Sequence, residues 1–241
     1  MTRPVTRFAR LLSVLLLCIA APAAAQPLLE IPSRGGGAVH YAWQPAGKVE
    51  RWIVSLHGTG GSAKRDIEVW QKSLGGRPIG ILAIQWWREQ GNAYLAPFDI
   101  YREIDFAASK LEIRPGTALL HGFSRGSANL YAVAAIDHGM GRKLFSLYVA
   151  SSGRMSPDYP PNRAILEGRY GPRPLAGTRW VTACGERDGN PERDGCPGMR
   201  GTGQWLKEQG ASVLDAIEDS QYGHGALQLN PRNAERLLNL F

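Results

Sequence analysis

The sequence predicts an α/β fold in which a mostly parallel central sheet is covered by helices on both faces, with only a minimal cap. Three observations carry that expectation. Short, nearly continuous apolar runs recur along the chain, helix-length segments separate them, and the runs are rich in β-branched or aromatic residues. Strands buried on both faces show little polar alternation, and parallel neighbours need a crossover connection, which the intervening helices provide.

Taken in order, the strands are expected at Trp52–Leu56, Ile79–Ile84, Thr117–Leu120, Leu147–Ala150, Trp180–Ala183 and Val213–Ile217. Helices are expected at about 63–74, 98–112, 125–138, 199–209 and 230–241. An earlier run, Val39–Trp43, reads as an antiparallel edge strand. The glycines Gly35, Gly36 and Gly37 before it read as a turn, because no strand-to-helix passage surrounds them as a phosphate loop requires. Residues 153–177 break the alternation. Their five prolines, Pro157, Pro160, Pro161, Pro172 and Pro174, forbid a long regular helix and suit a flap or short cap.

The N-terminus carries Arg3, Arg7 and Arg10, an apolar stretch from Leu11 to Ala21, and then Ala23, Ala24 and Ala25 before Gln26. That is the pattern of a secretory signal peptide, with cleavage expected after Ala25 and a single domain over residues 26–241. The apolar stretch falls short of the roughly 20 residues that span a bilayer, and no later segment approaches that length. Leu17, which precedes Cys18, is not the small residue that a lipid-attachment site needs, so Cys18 is expected to leave with the signal. A secreted or periplasmic location follows.

The formal charge of +7 becomes +4 once the three leader arginines are removed, with 25 basic against 21 acidic residues remaining. The basic residues are scattered singly, so no nucleic-acid footprint is expected. Cys184 and Cys196 lie close together in a chain bound for an oxidising compartment, where pairing is the default. An unstrained bridge across so short a loop is worth about 3 kcal/mol in the chain-entropy model. Oligomeric state leaves no mark on the sequence.

The chemistry centres on "HGFSRGS", His121 to Ser127, at the junction between an expected strand and an expected helix. A nucleophile at the end of a central strand is presented by a sharp strand-to-helix turn, whose central residue is strained and whose close packing leaves no room for side chains two positions away. Gly122 and Gly126 provide that room and Ser124 stands between them. An ordinary helix N-cap is the plainer role for the same serine.

With this motif at this place, the chain resembles the α/β-hydrolase fold family, and the likeness runs across nearly all of the sequence after residue 25. The family orders its triad as nucleophile, acid and histidine. The resemblance therefore implies Ser124 as nucleophile, Asp188 in "CGERDGNPERDG" as acid, and His224 in "EDSQYGHGAL" as base. Asp194, Glu186 and Asp219 lie near enough to compete with Asp188, and His40, His57, His121 and His138 compete with His224. "HGTGGS", His57 to Ser62, stands where the family places its oxyanion loop, so the backbone N–H of Arg125 and one from Thr59 or Gly60 are the implied donors. No metal and no organic cofactor are called for.

Trp86, Trp87 and Tyr94 follow the strand at 79–84 and are expected to form an aromatic wall at the edge where Ser124 emerges, unless the tryptophans cover the core instead. The Arg125 side chain either brings positive charge to the oxyanion or to a substrate carboxylate, or pairs with an acid such as Asp66 or Glu89. A small secreted domain with a His-Gly loop, little cap and a disulfide resembles, in layout, the polyhydroxybutyrate-depolymerase and feruloyl-esterase group. Those relatives usually carry another residue where Arg125 stands. The implied function is cleavage of a small-molecule or polymer-linked carboxylic ester by acyl transfer. Amide or peptide cleavage by the same triad, and a non-catalytic binding scaffold, are the alternatives.

Overall fold

The computed structural model describes residues 27–88 and 93–241; the expected signal peptide, with Cys18, and Glu89 lie outside them. Ten strands and seven helices follow one another as β1 (Leu29–Pro32), β2 (Val39–Trp43), β3 (Arg51–Leu56), α1 (Ala63–Ser73), β4 (Ile79–Ile84), β5 (Trp87–Arg88), β6 (Ala93–Tyr94), α2 (Pro97–Lys110), β7 (Ala118–Phe123), α3 (Arg125–Gly139), β8 (Phe145–Ser151), α4 (Pro160–Leu166), β9 (Arg179–Gly185), α5 (Cys196–Glu208), β10 (Ser212–Asp219), α6 (Ala226–Leu229) and α7 (Pro231–Leu238). Eight strands form one sheet in the order β1-β2-β4-β3-β7-β8-β9-β10. From β4 to β10 every pairing is parallel, while β2 lies antiparallel to β4 and β1 antiparallel to β2.

Alternate residues of the central strands enter opposite cores. In β3, Trp52, Val54 and Leu56 pack with Ile100, Ile104, Leu130, Met199 and Leu206 from α2, α3 and α5, while Ile53 faces Ile67, Trp70, Leu237 and Leu238 from α1 and α7. This is the two-sided burial that near-continuous apolar strands require. Helix α3 is buried on nearly all sides, as an apolar helix in the middle of one layer must be.

The structure moves some expected boundaries and adds elements. The strand at 39–43 is not the edge, because β1 pairs with it from Leu29 to Pro32. Only one of those four residues, Ile31, is buried, although the run is apolar apart from Glu30. Gly36 and Gly37 turn between the two strands with φ of 70° and 75°, a region that glycine enters without steric cost. Within 153–177 the prolines do not exclude helix altogether. Pro160 and Pro161 open the short helix α4, where a missing N–H leaves no intrahelical bond unmade. Helix α5 starts three residues before its expected beginning, at Cys196, which is bonded to Cys184 at the end of β9. No helix among the described residues is long and apolar enough to cross a membrane.

Candidate active site

The C-terminal ends of β3, β7, β9 and β10 lie along one edge of the sheet, the edge where open parallel sheets bind their ligands. Ser124 leaves β7 with φ 54° and ψ −116°, and α3 begins at the next residue. A non-glycine residue held there costs about 1–3 kcal/mol and persists only when its surroundings dictate it. Those surroundings are visible. A Cβ on Gly122 would stand 2.6 Å from the Gly126 carbonyl oxygen, and one on Gly126 would stand 2.1 Å from the Leu56 carbonyl oxygen. From the other side Gly153 presses on the turn, where a Cβ would meet the Ser124 carbonyl oxygen at 2.1 Å. Ser124 occupies the N-cap position of α3, yet its side chain makes no capping hydrogen bond. Ordinary capping therefore does not explain this serine.

His224 lies in the loop between β10 and α6, and its Nδ1 is 2.8 Å from Asp188 Oδ2. Asp188 follows β9, is 8 % exposed, and accepts at Oδ1 from the Asn190 N–H at 2.9 Å. The two loops are stitched together by Glu186 N–H to the Asp219 carbonyl and Arg187 N–H to the Tyr222 carbonyl. Gly185 allows the approach, since a Cβ there would meet the Gly223 carbonyl oxygen at 2.3 Å. With Nδ1 facing a carboxylate, the Nδ1–H tautomer is favoured and Nε2 is left as the basic nitrogen. The His224 ring also packs on Phe123, the residue before Ser124, at 4.9 Å between centroids.

Two of the competing acids, Asp194 and Asp219, have other partners, and the third, Glu186, is exposed. Asp194 Oδ2 accepts twice from the Arg193 guanidinium, at 2.8 and 2.6 Å. Asp219 accepts from the N–H groups of Gln221 and Tyr222 and from the amides of Asn230 and Asn233, so it shapes its own loop. Asp188, Asp194 and His224 each present a ligand atom within 4.8 Å of the others. The hydrogen bond on His224 and the ion pair on Asp194 already engage that cluster.

The loop after β3 packs directly on the serine, for a Cβ on Gly58 would lie 3.1 Å from Ser124 Cβ. Of the two loop N–H groups expected to face the site, that of Gly60 is donated to the Tyr94 hydroxyl at 3.2 Å, while Thr59 is exposed at the tip. His57 donates from Nδ1 to the Gly58 carbonyl oxygen at 2.8 Å, and burial pulls its pKa down to about 4, so the ring is neutral. Trp86 corrects the expected aromatic wall. It is fully buried, stacks on His57 at 5.4 Å, and donates from Nε1 to the His57 carbonyl oxygen at 3.2 Å, so it braces the loop from beneath. Tyr94 and the half-buried Trp87 sit above it, their rings stacked at 6.1 Å.

Arg125 does not pair with Asp66. Its guanidinium lies 4.2 Å over the Tyr94 ring, while Asp66 is half-buried in α1 and accepts from the Ser55 hydroxyl. Ser55 in turn is 3.3 Å from His121 Nδ1, and His121 Nε2 is 3.5 Å from the Gln228 amide nitrogen. The sequence reading did not find this chain beneath the site, because Ser55 and Asp66 sit in separate elements and carry no motif. Burial raises the Asp66 pKa to about 7 and lowers that of His121 to about 3. A carboxyl raised above its unfolded value binds its proton more tightly in the fold, so its contribution to stability is full below about pH 4 and is lost as pH climbs through 7. Asp66→Asn should therefore gain about 2–3 kcal/mol relative to the unsubstituted protein between pH 5 and pH 8. Urea unfolding of both proteins at the two pH values measures it; an unchanged difference would mean that Asp66 is ionised in the fold throughout.

Two cavities flank the serine. One of about 500 Å³ is lined by Ser124, Arg125, Arg154, Tyr159 and Asn190, and the other, of about 330 Å³, by Phe123, His224, Gln228 and Leu229, with Thr59 on the wall of both. Larger hollows, such as the one of about 640 Å³ beside α1, touch neither Ser124 nor His224.

No family model matches this chain, and no curated protein matches it. Solved structures do. A hyperthermophilic esterase from the archaeon Pyrobaculum calidifontis superposes with a TM-score of 0.68 at 17 % identity, covering 91 % of this chain and 84 % of its own. An esterase from Rhizomucor miehei gives 0.65 at 16 %, covering 89 % and 81 %. A thermostable carboxyl esterase from Bacillus coagulans gives 0.63 at 13 %, covering 90 % and 98 %. At such identities the likeness is one of fold.

Proposed function

We propose that this chain, an α/β-hydrolase by fold, is an extracytoplasmic serine hydrolase that cleaves carboxylic esters through Ser124, His224 and Asp188. The observation that carries the reading is the Asp188 carboxylate held on His224 Nδ1 while the imidazole packs on the residue preceding a strained, uncapped Ser124. Among the described residues the Ser124 hydroxyl has no hydrogen-bond partner. Catalytic hydrogen bonds of free enzymes are commonly open and tighten when substrate binds, here by rotation of the serine side chain toward Nε2.

In the reaction His224 Nε2 takes the proton as Ser124 Oγ attacks the ester carbonyl, and the resulting imidazolium is stabilised by Asp188. The tetrahedral oxyanion is met by the Arg125 N–H, which at the first position of α3 has no intrahelical acceptor, and by the Thr59 N–H. Gly60 serves differently: its bond to Tyr94 sets the shape of the loop that presents Thr59. His224 then returns the proton to the leaving alcohol, and water, activated in the same way, releases the acyl group. The arginine-bearing leader and the Cys184–Cys196 bridge support export from the cytoplasm.

The test is active-site labelling. A fluorophosphonate probe should phosphonylate the mature protein once, and peptide mapping should place the adduct on Ser124. A native protein that stays unlabelled would favour a binding scaffold.

A further inference from the structure

We propose that the cleft beside Ser124 receives the free carboxylate of an anionic ester, held between the guanidinium groups of Arg125 and Arg154. This deepens the hydrolase reading above and rests on it. The cavity of about 500 Å³ that exposes Ser124 is also lined by Arg125, Arg154 and Arg193. Only Arg193 is neutralised there, by its ion pair with Asp194. Arg125 holds its guanidinium 4.2 Å over the Tyr94 ring, and Arg154 keeps its Nε buried without a hydrogen-bond partner. Among the described residues neither guanidinium has a carboxylate in ion-pair contact.

A half-buried guanidinium with an unmet donor is costly, and the cost is relieved when a planar anion supplies two acceptor oxygens. Besides Asp194, two acids border the cleft, but Asp158 and Glu192 are exposed, where solvent and salt screen them. The inner wall is therefore cationic. Its position is set by the backbone: Arg125 follows the strained serine, and Arg154 follows Gly153, which is wedged against the Ser124 carbonyl. Stacking on Tyr94 limits the motion of the Arg125 head, so little freedom is lost on binding. A carboxylate lodged there leaves the cavity beside His224 for the other half of the ester.

Matched pairs of substrates test this on the mature chain. Monomethyl adipate against methyl adipamate places the charge on the acyl side, and 4-carboxyphenyl acetate against 4-carbamoylphenyl acetate places it on the alcohol side. In one of the two pairs kcat/KM should favour the carboxylate by roughly tenfold or more, and the preference should shrink in 0.5 M KCl. Arg154→Gln should bring that ratio close to one, with circular dichroism confirming the fold. The ratio in the unsubstituted protein decides the matter even should the variant fail to fold. Hydrolysis of the neutral esters with equal or greater efficiency in both pairs overturns the carboxylate site while leaving the hydrolase intact. Hydrolysis of none of the four, with Ser124 unlabelled, overturns the hydrolase reading and this one with it.

Discussion

Ser124→Ala is expected to lower ester turnover by roughly 10⁶-fold, the scale on which loss of a triad nucleophile removes the covalent route. The argument is geometric. The hydroxyl stands at the only residue of the turn between β7 and α3, on a backbone with φ 54°, and three glycines leave it no alternative position. Alanine removes one oxygen and adds no bulk, so thermal stability should stay within about 1 kcal/mol of the original or rise as strain-related desolvation of the hydroxyl is relieved. Binding in the flanking cavities should survive as well. Single-turnover kinetics with a chromogenic ester and a thermal melt measured on the same sample separate the two effects. Retention of more than a hundredth of the activity would end the assignment.

Asp188→Asn should cost roughly 10⁴-fold in kcat, because the amide either donates to Nδ1 and forces the wrong tautomer or leaves the imidazolium without its counter-charge. Asp194 offers a control that few sites provide. It is as buried as Asp188, is near the same histidine and lies within the same disulfide loop, yet its carboxylate is engaged by Arg193. Asp194→Asn should therefore change kcat by less than about tenfold, reflecting a looser loop rather than a lost counter-charge. Equal losses in the two variants would show that the pair acts as one unit.

Much of this arrangement was legible before any coordinates. β4 runs over the residues its apolar pattern marked, β3, β8, β9 and β10 extend their expected cores by one or two residues at an end, and β7 starts one residue later than expected and runs on to Phe123. Strands buried on both sides announce themselves because hydrophobicity must be continuous there. β1 was invisible because an exposed edge strand is held by backbone hydrogen bonds that any side chain permits. The same reasoning covers α4, which prolines start rather than stop.

The boundary between what one dimension and three dimensions decide runs through the site itself. By itself the sequence determined the order of the buried strands and of the longer helices between them, the glycine pair that only a tight elbow explains, and the short list of acids and histidines, since these depend on residue type and spacing. Only the tertiary structure decided that His224 leans on Asp188 while Asp194 goes to Arg193, that Trp86 lies under the loop, and that Arg125 settles on Tyr94. Those choices arise where loops from different strands meet, and a few ångströms between carboxylates or rings separate the outcomes. Composition carries no record of such distances, because they are set by packing among residues far apart in the chain.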